Sequence, residues 1–101
     1  MSARPNIVFL LTDQLRGDCL SVDGHPVVET PNLDMLARRG THFAAAYSTV
    51  PSCIAARASL FTGLGASGHG RLGYQDQVPW QYERTLAEEL GRAGYQTHCV
   101  G

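Results

Sequence analysis

The sequence predicts an α/β fold, a layered and mostly parallel sheet with flanking helices. Three observations predict it. Ile7-Val8-Phe9-Leu10-Leu11 is a continuous apolar run with β-branched members, closed by polar residues, as in a strand buried on both faces. Two later segments carry paired helix start and stop signals. The order of the readable elements is strand, helix, strand, helix, helix, strand, the pattern of a layered α/β protein.

The first element runs from Asn6 to Thr12, and Asp13 lies just past its carboxyl end, where ligands bind in open α/β sheets. Residues 14 to 29 read as irregular, punctuated by Gly17, Gly24 and Pro26. Thr30 to Gly40 reads as a short helix. Thr30 suits the cap, Pro31 the first position, Arg38 and Arg39 the last turn and Gly40 the residue after it. Leu33, Leu36 and Ala37 would form its apolar face. Thr41 to Tyr47 reads as a weaker strand. Cys53 stands at or just before the first turn of a helix that begins near Ile54 and stops at Gly63. Residues 63 to 81 hold five of the eleven glycines and read as a long loop, with Tyr74, Trp80 and Tyr82 as its anchors. Thr85-Leu86-Ala87-Glu88 is a capping box opening a helix that reaches Gly94, and Tyr95 to Val100 reads as a last strand.

Composition sets bounds on function. The chain has 101 residues, is 44 % hydrophobic and carries a net charge of −1, which gives no footprint for nucleic acid or an anionic membrane. The apolar run is too short to span a bilayer and no small-residue cleavage site follows it, so the expectation is a cytoplasmic protein without a signal peptide. Three cysteines, Cys19, Cys53 and Cys99, make an odd count without a CxxC spacing, which argues against a disulfide framework or a structural zinc site. The chain stops at Gly101, directly after an apparent strand with no helix to cover it, which suggests a fragment.

The residues that can carry chemistry each admit two readings. Asp13 is either a turn residue or a carboxylate ligand for a hard cation, with Gln14 able to add an amide oxygen. Asp18 reads as a turn cap. Cys53 and Arg57 are four apart, on one face if helical. They are either a buried small thiol and a solvated arginine, or a reactive pair. In the second case the helix N-terminus and Arg57 both favour negative charge at the spot, whether thiolate or bound anion. His25, His42, His69 and His98 lack metal-binding spacing and read as structural or surface residues, with His69 in the glycine-rich loop as the best exception.

Taken together, these motifs resemble the sulfatase family. Cys53-Ile54-Ala55-Ala56-Arg57, followed by a helix and Thr62-Gly63, resembles the signature Cys-x-Pro-Ser-Arg with its later Thr-Gly. Arg4 to Gln14 resembles the opening strand and metal loop. Thr30-Pro31-Asn32-Leu33-Asp34, with Gly40 and Phe43, resembles the intervening segment. The resemblance covers almost the whole chain. It implies an alkaline-phosphatase-like fold, incomplete here, with residues 1–101 as the amino-terminal part of a sulfatase catalytic domain. It implies that Cys53 is oxidised to formylglycine, whose hydrated aldehyde attacks the sulfur of a small sulfate ester. Asp13, Gln14 and residue 53 would hold a divalent metal, Ca²⁺ in most members, with Mn²⁺ and Mg²⁺ as the other options. Arg57 would steady the diol and the neighbouring charge.

Three departures refine that picture. Ala55 replaces the usual proline, as in substrates of the radical, iron–sulfur maturase rather than of the oxygen-dependent converting enzyme. Gln14 replaces the second aspartate of an Asp-Asp pair, as in relatives that hydrolyse choline sulfate or phosphonate monoesters. The family's Lys and His after the glycine matched by Gly101, and its later metal ligands, are missing. The alternatives to a sulfuric ester hydrolase are therefore a phosphonate or phosphate monoester hydrolase on the same scaffold, and a catalytically inactive truncated piece.

Overall fold

The computed structural model describes residues 4–74 and 77–101. The chain divides into two compact units, Met1–Ala46 and Tyr47–Gly101. The described residues hold the α-helices α1, Pro31–Arg39, α2, Cys53–Thr62, α3, Ala66–His69, and α4, Leu86–Arg92; α1, α2 and α4 stand where local signals predicted helices, while α3 lies in the segment expected to be loop. No helix among the described residues is long and apolar enough to cross a membrane.

The three segments read as strands, Asn6 to Thr12, Thr41 to Tyr47 and Tyr95 to Val100, form none among the described residues. The reason is physical. A helix satisfies its backbone from within, N–H to the carbonyl four residues back. A strand takes its hydrogen bonds from a neighbouring strand and is stable only in a sheet of several. Ile7, Val8, Phe9, Leu10 and Leu11 are accordingly each more than half exposed.

In the first unit, two short 3-10 turns, Gly17–Cys19 and Ser21–Asp23, lead toward α1. Asp18 lies inside the first turn instead of capping it, and takes the Arg16 guanidinium at 2.6 and 2.9 Å. That bond holds the Asp18 carboxyl below the usual carboxylate range and the Arg16 guanidinium above its own. The pair is exposed and adds little stability.

Thr30 stands at the cap of α1, but its side chain does not cap the helix. Its hydroxyl donates to Asp34 (3.0 Å) and accepts the Ser21 N–H (3.0 Å), while the Thr30 N–H donates to the Ser21 hydroxyl (2.7 Å). Asp34 also receives the Ser21 hydroxyl at 2.9 Å and the Val22 N–H at 3.1 Å. Partial burial pushes the Asp34 carboxyl up. The bonds from Ser21, Thr30 and Val22, with the pull of Arg38, outweigh it and hold the group below its ordinary range. The helix is thus tied to the preceding turn by polar groups. Its expected apolar face is unburied: Leu33 and Leu36 are exposed.

The second unit holds the buried residues. Ala55 and Ala58, on one side of α2, are fully buried, and Val50, Ser59, His69 and Arg71 join them. The small alanines leave room for α3 and α4, which both pack on α2. Alanine is also the best helix former, so the same residues favour the helix and its packing. Gly63 ends α2 at φ 70°, its N–H bonded to the Ser59 carbonyl at 2.8 Å. In α4 the Thr85 hydroxyl accepts the Glu88 N–H (3.4 Å), the expected side-chain cap, and donates to the Glu88 carboxylate (2.8 Å), which bonds that hydroxyl instead of the Thr85 N–H of a full capping box. The helix closes in a Schellman motif, with Gly94 at φ 85°, Tyr95 N–H to Leu90 O at 3.0 Å and Gly94 N–H to Gly91 O at 2.9 Å.

Candidate functional site: the start of helix α2

Cys53 is the first residue of α2 and is half-buried, its thiol free. Ser52 precedes it in extended conformation (φ −129°, ψ 132°), and its carbonyl accepts the Ala56 N–H at 2.8 Å. The Ser52 side chain does not cap the helix. Its hydroxyl is buried and has no hydrogen-bond partner among the described residues. The first N–H groups of a helix have no acceptor within it and carry the positive end of the dipole, so residue 53 sits where negative charge is favoured. Arg57 follows one turn later on the same side of the helix.

Asp13 and Gln14 share an exposed bend in the first unit. Gln14 has φ 52°, a left-handed conformation unusual for a residue with a Cβ. Asp13 and Gln14 are therefore neighbours in one unit, as Cys53 and Arg57 are in the other. Among the described residues no group of three or more His, Cys, Asp and Glu converges. The donor chemistry still fits part of a hard-cation shell. A carboxylate and an amide oxygen suit Ca²⁺, Mg²⁺ or Mn²⁺, which need more oxygens than these two supply. A thiol at position 53 is too soft for such an ion, whereas an oxygen in its place would match the Asp13 carboxylate.

Three of the four histidines take structural positions. The His25 Nδ1 accepts the N–H groups of Val27 (3.2 Å) and Val28 (2.8 Å). The His42 Nε2 lies 3.4 Å from the Asp23 carboxylate. His69, the exception singled out from sequence, is only 2 % exposed and both ring nitrogens are engaged, Nε2 with Ser59 and Nδ1 with the Arg71 N–H. Neither is open to a metal.

Sequence reasoning missed the group that builds this region. Arg71, also buried, donates to the Tyr82 hydroxyl (2.8 Å) and to the Val78 carbonyl, with its guanidinium 5.2 Å from the Trp80 ring centre. Trp80 and Tyr82 meet edge to face at 4.8 Å. These two aromatics do hold the long loop, as expected, but through an arginine that no sequence spacing marks. Part of that loop is helical, as α3. A cavity of ≈ 320 Å³, lined by Leu60, Phe61, Thr62 and Gly63 with Arg84 and Leu86, lies at the end of α2 away from Cys53.

The Sulfatase family profile matches residues 5–101, and the chain belongs to that family. It is 56 % identical over 98 residues to an arylsulfatase of Clostridium perfringens, covering 97 % of this chain and 20 % of that protein. It is 42 % identical to an ulvan-active sulfatase of Formosa agariphila, covering 97 % of this chain and 19 % of the relative. It is 38 % identical over 110 residues to human N-acetylgalactosamine-6-sulfatase, covering 96 % and 21 %. The chain thus spans about a fifth of the length of these relatives. No solved structure matches it.

Proposed function

We propose that the protein carrying this chain is a sulfuric ester hydrolase, with residues 1–101 as the amino-terminal part of its catalytic domain and Asn6 to Thr12 as a buried strand of a layered α/β sheet. One observation carries the reading. In a chain of the sulfatase family, Cys53 begins a helix and Arg57 follows one turn on. Formylglycine at position 53 would supply a hydrated aldehyde with two hydroxyls, one to attack the sulfur of a sulfate ester and one to expel sulfate afterwards. A divalent cation, for which Asp13 and Gln14 would supply oxygens and residue 53 a further one once its sulfur is replaced, would lend positive charge to the attacking hydroxyl and to the transferring group. Arg57 adds a fixed cation, and the start of α2 a set of N–H groups, where negative charge spreads during transfer. The buried face of α2 holds both residues on one rigid element.

The partner implied is a maturase of the radical, iron–sulfur type, suggested by Ala55. Gln14 favours a second reading, hydrolysis of phosphonate or phosphate monoesters at the same site. The mass of the tryptic peptide Gly40 to Arg57, from protein made in its native host, tests the first reading. We expect aldehyde oxygen in place of sulfur at residue 53, and turnover of sulfate monoesters that is lost in Cys53→Ala. An unmodified cysteine with no turnover would leave the family relation as ancestry only. Faster turnover of phosphonate monoesters would favour the second reading.

A further inference from the structure

One buried hydroxyl links the segment that leads into Cys53 to helix α2 and to His69. The Ser59 hydroxyl, on the inner face of α2, accepts the Thr49 hydroxyl at 2.7 Å and lies 2.8 Å from the His69 Nε2. The His69 Nδ1 accepts the Arg71 N–H at 3.0 Å, so the ring proton is on Nε2 and points at Ser59. Thr49 belongs to the short segment that leads into Cys53. The Ser48 hydroxyl, bonded to the Val50 carbonyl at 2.7 Å, stiffens that segment further. His69 is itself held by the backbone: its N–H reaches Gly65 O at 3.1 Å, and its carbonyl accepts the Tyr82 hydroxyl at 3.1 Å. Ser59 is 8 % exposed and His69 2 %, so these bonds do not compete with water.

We propose that Ser59 and His69 are positioning residues for the reactive end of α2: the Thr49–Ser59–His69 chain pins both the lead-in to Cys53 and the helix that carries Arg57. This rests on the reading of residue 53 as the reactive group. Such a role moves kcat rather than KM, since a small misplacement of reacting groups costs far more rate than binding.

The test uses the native full-length protein and two measurements. In matured enzyme, Ser59→Ala and His69→Gln are expected to lower kcat for 4-nitrophenyl sulfate, per formylglycine, by about tenfold to a hundredfold. KM should shift less than about twofold, and Ser59→Thr, which keeps the hydroxyl, should restore most of the rate. In protein made without a maturase, the rate at which iodoacetamide alkylates Cys53, read on its own tryptic peptide, should change several-fold in the same variants. If either variant fails to fold, Thr49→Val, which removes only the outer arm, takes its place. Unchanged kcat and alkylation in folded variants, with only a lower melting temperature, would overturn the proposal. A wild-type enzyme inert toward sulfate esters, with alkylation still shifted by the variants, would overturn the sulfatase reading and leave the positioning role standing.

Discussion

At the scale of single residues, Ala55 and Ser52 say most about the amino-terminal end of α2. Ala55 is the third residue of the helix, where the backbone N–H has no acceptor in the helix, so proline there would remove no helical bond. It is also fully buried, so the extra ring carbons would crowd its packed neighbours, at a cost of about 1–3 kcal/mol. Ala55→Pro is thus expected to lower stability by that amount. It should raise the fraction of residue 53 converted when the protein is co-expressed with the oxygen-dependent converting enzyme. Equal conversion of wild type and variant, measured on the Gly40 to Arg57 peptide, would remove Ala55 as the determinant of maturase choice. Ser52 shows the opposite economy. It is a good capping residue at a capping position, yet its hydroxyl turns inward and caps nothing. The first turn of α2 is therefore left without the side-chain acceptor that most helix starts employ.

At the scale of elements, the helices follow their end signals closely. The contrast between α2 and α4 makes this measurable. Gly63 closes α2 in the left-handed region, and a Cβ there would meet no atom within 4 Å, so the penalty for Gly63→Ala is conformational alone, about 1–2 kcal/mol. Thr85 opens α4 with a real side-chain cap, and Thr85→Ala should cost about 1 kcal/mol. In urea unfolding both substitutions are expected to lower the midpoint with an unchanged slope. Because α2 carries residue 53 and buried Ala55 and Ala58, Gly63→Ala should also lower turnover, while Thr85→Ala should leave it intact. A loss of turnover in Thr85→Ala alone would reverse that assignment. The site was partly legible at this scale: Cys53 at a helix start, Arg57 one turn on and the glycine stop are all local. Ser59, His69 and Arg71 were not legible, because their partners Thr49, Tyr82 and Trp80 are neighbours only after the chain has folded back on itself.

At the scale of the whole molecule, the open question is what covers the apolar run Ile7 to Leu11. Burying one such side chain contributes about 1.5–3 kcal/mol, so five left in water represent a large unclaimed stabilisation. If the run is a strand buried on both faces, Val8→Lys in the native protein should destabilise it by about 3–5 kcal/mol, the range of an uncompensated buried charge. Calorimetry would read this as a steep fall in melting temperature. A neutral result would mean that the run stays at the surface, where Val8 is 80 % exposed, and the strand reading would fail.

The sequence by itself determined α1, α2 and α4, their glycine stops and the position of Cys53 on one of them, because a helix draws its hydrogen bonds, its stop signals and its dipole from residues within a few positions of each other. It also determined the family, because ordered motifs at Asp13, Thr30 to Asp34 and Cys53 to Gly63 run through nearly the whole chain. Only the tertiary structure decided that Asp34 is tied to Ser21, that Arg71 is clamped by Trp80 and Tyr82, and that His69 is a rivet instead of a ligand. Those outcomes depend on groups distant along the chain, and so does a β-strand. The apolar runs name strand candidates, but a strand exists only when a partner supplies the other half of each hydrogen bond.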